Sequence, residues 1–246
     1  MTQSSHSQSS DPQRDPQHDP QHGGRVVVVA GAGGPTGQAV VRALAASGAR
    51  VIAADRIPHE WDDERITPAV IDLLDGAATG EWARGIAAAH GRVDGLIHLV
   101  GGWRGGATFG DTDLADWDFL HDLLIRTLQH TTLAFHEQLR SAPGGGRVAI
   151  VSQHAARRPG QGVAAYGAAK AASEAWTLAL ADSFTGTEAA AVVLVVKALL
   201  NDRMQDEKPD AKFEGFTHVD DLGRIIADLW NRPAAELNGT RVDLSD

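Results

Sequence analysis

The chain has 246 residues, 43% of them hydrophobic, and a formal net charge of -10, which is enough apolar material for the single large core of an α/β domain. The acidic balance, with no basic run or stripe, excludes a nucleic-acid surface, and no apolar stretch approaches the roughly 18 residues of a membrane helix. The absence of cysteine excludes disulfides and thiolate metal sites; with no secretory layout at the N-terminus, a cytoplasmic protein is expected.

Residues 1–24 are Ser, Gln, Asp, Pro and His almost throughout, with four-residue units beginning at Asp11, Asp15 and Asp19. Such a composition predicts a disordered tail, in which nothing holds His6, His18 and His22 in a coordination geometry. One domain is expected over 25–246. From Arg25 onward, short β-branched runs alternate with helical patterns. The strands are expected at 25–30, 50–54, 67–71, 96–100, 147–152, 191–196 and 240–244, and the helices at 35–47, 80–90, 113–141, 163–185 and 218–231. This order implies an α/β fold of the doubly wound Rossmann type, a seven-stranded parallel sheet with helices on both faces. The run Val26-Val27-Val28-Val29 is apolar on both faces, as a central parallel strand must be. Ligands of such sheets bind beyond the carboxyl ends of the strands.

The first strand is followed by Gly31-Ala32-Gly33-Gly34-Pro35-Thr36-Gly37 and then a helix apolar at Val40, Val41, Leu44 and Ala45. Glycines permit close backbone approach, and a helix N-terminus offers free N–H groups to a pyrophosphate. Pro35 suits the first helical position, where an N–H would go unbonded. Asp55, 18 residues after Gly37 and ending the second strand, is placed to accept hydrogen bonds from ribose hydroxyls, which favours NAD. The adjacent Arg56 could instead meet a 2′-phosphate, so NADP stays possible. Asp72 ends the third strand and is expected near the adenine, and Val100-Gly101 ends the fourth and is expected against the cofactor.

The helix expected at 163–185 carries Tyr166 and Lys170, four residues apart and therefore on one face. An ammonium beside a phenol stabilises the phenolate and lowers its pKa toward a value useful for proton transfer. The chain has one tyrosine and four lysines, so coincidence explains this spacing poorly. With Gly31, Gly34, Gly37, Asp55, Asp72, the Trp117-Asp118 helix start and Tyr166-x-x-x-Lys170, the sequence resembles the short-chain dehydrogenase/reductase family from about Arg25 to Leu244. The resemblance implies a nicotinamide cofactor, hydride transfer to or from a carbonyl carbon of a small-molecule substrate, and homodimers or homotetramers packed through long helices. It also implies that Tyr166 is the general acid/base and that Lys170 lowers its pKa and holds the nicotinamide ribose.

The departures from the family pattern fall where the chemistry occurs. Gln153 stands 13 residues before the tyrosine, where the family has a substrate-binding serine, and Ser152 is one residue too early. Alternation along a strand points Ser152 to the opposite face unless the strand end bulges, whereas the Gln153 amide could itself polarise a carbonyl. Leu124 replaces an Asn that holds a relay water. The family's Asn-Asn-Ala-Gly reads His98-Leu99-Val100-Gly101, its Pro-Gly reads Ala198-Leu199, and Ala30 and Pro35 replace a Thr and a Gly of the glycine turn.

His154 is an alternative acid or base. Asp111, Asp113, Asp116 and Asp118 are explained by helix capping. The segment 198–216 has the composition of a substrate lid or a surface loop, and Trp103, Phe109 and Trp176 are candidates for an apolar pocket wall. The sequence carries no His-Glu-x-x-His or Gly-x-Ser-x-Gly motif. Two readings remain open: an NAD(P)-dependent oxidoreductase, and a non-redox isomerase, lyase or dinucleotide sensor on the same fold.

Overall fold

The structure is a computed structural model that describes residues 24–245; the expected tail lies almost entirely outside them. Seven strands, β1 (Val26–Ala30), β2 (Arg50–Asp55), β3 (Ile66–Val70), β4 (Gly95–His98), β5 (Arg147–Gln153), β6 (Ala190–Val196) and β7 (Arg241–Asp243), form one sheet in the order β3-β2-β1-β4-β5-β6-β7. Every pairing is parallel. The order reverses between β1 and β4, and that crevice is where a doubly wound sheet takes its ligand.

Alternation along β1 divides the core. Val27 and Val29 meet Val40, Val41 and Leu44 of α1 (Pro35–Ala46) and Leu222 and Ile226 of α7 (Val219–Ala227). Val26 and Val28 meet the opposite layer: Ile86 of α2 (Gly76–His90), Phe135 and Leu139 of α4 (Thr127–Arg140), and Leu180 of α5 (Ala164–Ser183). The apolar residues of α1 and α7 recur every three or four positions, so each helix presents one stripe to the sheet.

At the amino edge of the sheet two buried charges act as staples. Asp94 accepts the Val26 N–H at 2.8 Å and pairs with Arg92 at 2.6 Å. Arg147 is 3% exposed and donates to four main-chain carbonyls, those of Leu229, Gly146, Glu188 and Arg232, at 2.8 to 3.1 Å.

Several expected boundaries are corrected. The helix expected at 113–141 is interrupted: α3 (Leu114–His121) and α4 are joined by a π turn over Asp122–Arg126. The displaced carbonyls are satisfied by side chains, Leu123 by the Thr127 hydroxyl at 2.7 Å and Leu124 by the Ser173 hydroxyl at 3.0 Å, the kind of relief a π turn requires. The second helix starts at Gly76, four residues earlier than expected, because Asp75 caps it by accepting the Ala78 N–H. β3 stops at Val70, so Asp72 sits in the following turn and accepts the Leu74 N–H. The segment 198–216 is partly ordered, with α6 (Asp202–Glu207) and a two-residue pairing of Leu199–Leu200 with Thr217–His218. No helix among the described residues is long and apolar enough to cross a membrane.

Candidate active site

The turn after β1 has the shape its glycines predict. Gly31 has φ +83°, and a Cβ there would lie 2.8 Å from the backbone of Leu99 and Val100, just past β4, which ends at His98 rather than at Val100 as expected. At Gly37 a Cβ would lie 2.2 Å from the Gly31 carbonyl, so α1 can seat on the turn only with glycine at that position. Gly34 caps α1 without a side-chain hydrogen bond, Pro35 is first, and no acid stands in the first turn. The N–H groups of Thr36 and Gly37, residues that line a cleft, are therefore without helical acceptors. This donor set fits a pyrophosphate.

Beside the turn, Asp55 Oδ2 accepts the Gly33 N–H at 2.9 Å and Oδ1 accepts the Arg56 N–H at 2.7 Å. A cleft of about 520 Å³ runs from here, lined by Asp55, Arg56, Asp72, Val100 and Gly101. All the residues expected at the adenosine end thus share one trough. Asp72 is exposed on its wall.

A second cleft of about 580 Å³ continues past Gly31, Gly34, Pro35, Thr36 and Gly37 to Tyr166, Lys170, Ser152 and Gln153. Lys170 Nζ donates to the Val151 carbonyl at 2.8 Å and lies 5.9 Å from the centre of the Tyr166 ring. Burial lowers the Lys170 pKa to about 8, opposed by the charge of Glu174, and burial raises that of Tyr166. Among the described residues the Tyr166 hydroxyl has no hydrogen-bond partner, which leaves it for a ligand in the cleft.

The two candidates at the end of β5 differ in what holds them. Ser152 is 1% exposed and donates to Glu174 Oε1 at 2.6 Å, so its hydroxyl is committed behind the cleft. Gln153 donates from Nε2 to the Lys197 carbonyl at 3.0 Å, and its Oε1 accepts the Ala155 N–H. One N–H of that amide remains for a ligand.

His154 lines neither cleft and is held by Asp243 at 3.0 Å and Ser245 at 2.9 Å. Trp103 lines both clefts, whereas Phe109 lines neither and Trp176 lies in a separate groove between α4 and α5. Asp113 caps α3 as expected, while Asp116 pairs with Arg104 at 3.2 Å.

Three residues near the site were given no role from sequence. His98, where the family pattern has Asn, is buried between the hydroxyls of Thr127 and Thr131, each at 3.2 Å. Its pKa is lowered to about 3, by burial first and by the Lys170 charge second. Glu174 lies four residues beyond Lys170, and the same i, i+4 step that links Tyr166 to Lys170 would have found it. Lys197 lines the catalytic cleft just after β6.

A family model described as short chain dehydrogenase matches residues 25–212. The 2,3-dihydro-2,3-dihydroxybenzoate dehydrogenase of Escherichia coli is 29% identical over 168 residues, covering 67% of this chain and 65% of the relative. The chain spans 61% and 65% of the length of two curated relatives that it matches. Among solved structures, a short chain oxidoreductase of Pseudomonas aeruginosa PAO1, described as NADPH-bound and as containing an atypical catalytic center, superposes with TM-score 0.74. It is 22% identical and covers 89% of this chain and 94% of its own. A 3-ketoacyl-(acyl-carrier-protein) reductase of Brucella melitensis complexed with NADH gives TM-score 0.73 at 20% identity, covering 89% and 96%.

Proposed function

The chain belongs to the short chain dehydrogenase family, and from that membership we propose that residues 25–246 form one NAD(P)-dependent oxidoreductase domain acting on the carbonyl or alcohol group of a small organic molecule. One observation carries the proposal. The glycine turn, Asp55 and the Tyr166–Lys170 pair, drawn from three separate parts of the chain, converge on two joined clefts at the carboxyl edge of the sheet. The NADPH and NADH of the two structural neighbours support a nicotinamide dinucleotide. Bound in the clefts, it would supply or accept the hydride.

The chain's own groups do the remaining work. The N–H groups at the start of α1 hold the pyrophosphate, Asp55 accepts from the adenosine ribose, and Lys170 holds the second ribose. Tyr166 delivers its phenol proton to the carbonyl oxygen in reduction and removes the proton from the alcohol in oxidation. Its pKa is raised by burial, so the protonated donor is its resting form, and the Lys170 ammonium stabilises the phenolate left behind. The free N–H of Gln153 polarises the same oxygen. Asp55 favours NAD over NADP.

We also propose a homodimer or homotetramer. Leu133 is 67% and Leu178 41% exposed on α4 and α5, beside a groove lined by Leu133, Trp176 and Leu180; a second copy would cover that apolar face.

The non-redox reading rests on the end of β5, where a glutamine already bonded to Lys197 and Ala155 stands in place of the family's serine and offers substrate a single remaining N–H. A single experiment separates the two. The protein is incubated with NADH and a panel of aldehydes and ketones, with Tyr166→Phe as control, and NADH absorbance is followed. Consumption by the parent and none by the variant supports the oxidoreductase. NADH binding without consumption across the panel supports the non-redox reading.

A further inference from the structure

Helix α5 grips strand β5 at two successive residues. Lys170 donates to the Val151 carbonyl at 2.8 Å, and one turn further along the same helix face Glu174 Oε1 accepts the Ser152 hydroxyl at 2.6 Å. Glu174 is 6% exposed and lines neither cleft. Arg241 of β7 closes on it, with Nε 3.2 and 3.1 Å from the two carboxylate oxygens, and Arg157 Nε stands 4.0 Å from Oε2. Ser152 and Arg241 thus hydrogen-bond the carboxylate directly, and Arg157 stands at ion-pair distance. Removing a charge of this kind, or one of its partners, is costly.

We propose that Glu174 is a positioning residue for the Tyr166–Lys170 pair: through Ser152 it fixes α5 against the end of β5, and its carboxylate, one helical turn beyond Lys170, supplies the countercharge to that ammonium. The proposal rests on the assignment of Tyr166 and Lys170 above. Burial pushes the Lys170 ammonium toward neutrality, and among the described residues Glu174 supplies the opposing negative charge. The other groups facing Lys170 are Tyr166 on α5 and the neutral imidazole of His98 on β4. Lys197 stands at the mouth of the same cleft, and Arg241 and Arg157 lie beyond Glu174. An ammonium that loses its proton cannot stabilise a phenolate, so the carboxylate acts on the chemistry through the lysine.

The chain has four lysines, so ¹³C-lysine labelling gives a readable spectrum, with Lys170 assigned by Lys170→Arg. The Lys170 Cε resonance is followed against pH in the full chain. The parent is expected to titrate near 8, Glu174→Gln to lower the midpoint by about one unit or more, and Glu174→Asp to restore most of it. An unchanged midpoint in Glu174→Gln that still unfolds cooperatively overturns the charge half of the proposal.

Ser152→Ala separates the other half, because it keeps the charge and breaks the link to the strand. Here the expected result is an unmoved Lys170 midpoint, NADH affinity within about twofold, and kcat lower by about tenfold, the scale of a small misplacement of reacting groups. Parent-like kcat in Ser152→Ala overturns the positioning half. If Glu174→Gln does not fold, Glu174→Asp decides: it keeps a charge on a shorter arm, and a Lys170 midpoint held near 8 with lowered kcat is required. The titration needs no turnover. Absence of dehydrogenase activity in the parent would therefore sink the hydride-transfer reading and still leave the Glu174–Lys170 coupling measured.

Discussion

The Gly33 N–H and the Asp55 carboxylate are joined at 2.9 Å, so the acid that ends β2 and the turn that follows β1 form one lip of the cleft lined by Arg56 and Asp72. On the proposed reading the carboxylate's remaining lone pairs take a ribose and its negative charge opposes a 2′-phosphate.

NADH should therefore bind more tightly than NADPH, and Asp55→Asn should narrow the difference by about tenfold, roughly 1.4 kcal/mol. Fluorescence titration with both dinucleotides measures it. A parent that clearly prefers NADPH would show that Arg56, exposed on the same wall, decides the site.

Tyr166→Phe keeps the ring's packing and removes the proton, so turnover should disappear while NADH affinity stays near that of the parent. Gln153→Ala should cost on the order of 10² to 10³ in kcat, the scale of one lost hydrogen-bond donor to a developing oxyanion. Steady-state kinetics on the two variants check the order. A larger loss from Gln153→Ala than from Tyr166→Phe would make the amide the principal catalytic group.

Lys170 is charged below its lowered pKa of about 8 and loses the charge above it. Carbonyl reduction, which leaves a phenolate needing that charge, should hold steady toward neutral pH and fall as pH rises through about 8. A rate profile at saturating NADH tests this. A flat profile to pH 10 would separate the ammonium from the chemistry.

The acid side reports on His98. Its folded pKa of about 3 lies below the ordinary 6.5, so the unfolded chain takes up a proton that the folded chain refuses. Stability from this site is complete above pH 6.5 and is lost as pH falls toward 3. His98→Asn keeps an amide that can bond the Thr127 and Thr131 hydroxyls and does not titrate. Between pH 7 and pH 4 its loss of unfolding free energy should be smaller than the parent's by ~3 kcal/mol, read from denaturant curves at the two pH values.

Leu133→Asp places a charge on the exposed apolar face of α4 and should lower the oligomeric state without moving the far-ultraviolet circular dichroism. Sedimentation velocity on both proteins decides it, and an unchanged sedimentation coefficient would remove this face from the assembly.

The parts of the fold written in local pattern were legible. The valine run of β1 and the glycine turn are contiguous signals, and the Tyr166–Lys170 spacing is a helix-face signal that survives any error in the ends of the helix. The π turn was not legible, because one added residue in a helix leaves the apolar spacing on either side almost unchanged. Asp72 was placed at a strand end that stops two residues earlier, since a turn and a strand terminus look alike in a short polar run. Ser152 was legible as a doubtful candidate through the alternation of strand faces, but its actual partner was not: Glu174 is 22 residues away, and Arg241 is 67 beyond that. Such partners become neighbours only through the sheet.

Among the described residues the Arg147 side chain hydrogen-bonds only main-chain oxygens, those of Leu229, Gly146, Glu188 and Arg232. Every residue type presents the same carbonyl, so the four partner positions are free to change identity without loosening the staple. Inheritance of this staple then depends on a single side chain. Lysine cannot replace it, because one ammonium does not reproduce the spread of a guanidinium fork. A scaffold secured in this way lets the opposite edge drift. Under selection for a new substrate, accepted substitutions should accumulate in the loops around Trp103 and residues 198–216, while Arg147 stays invariant across the surviving lineage.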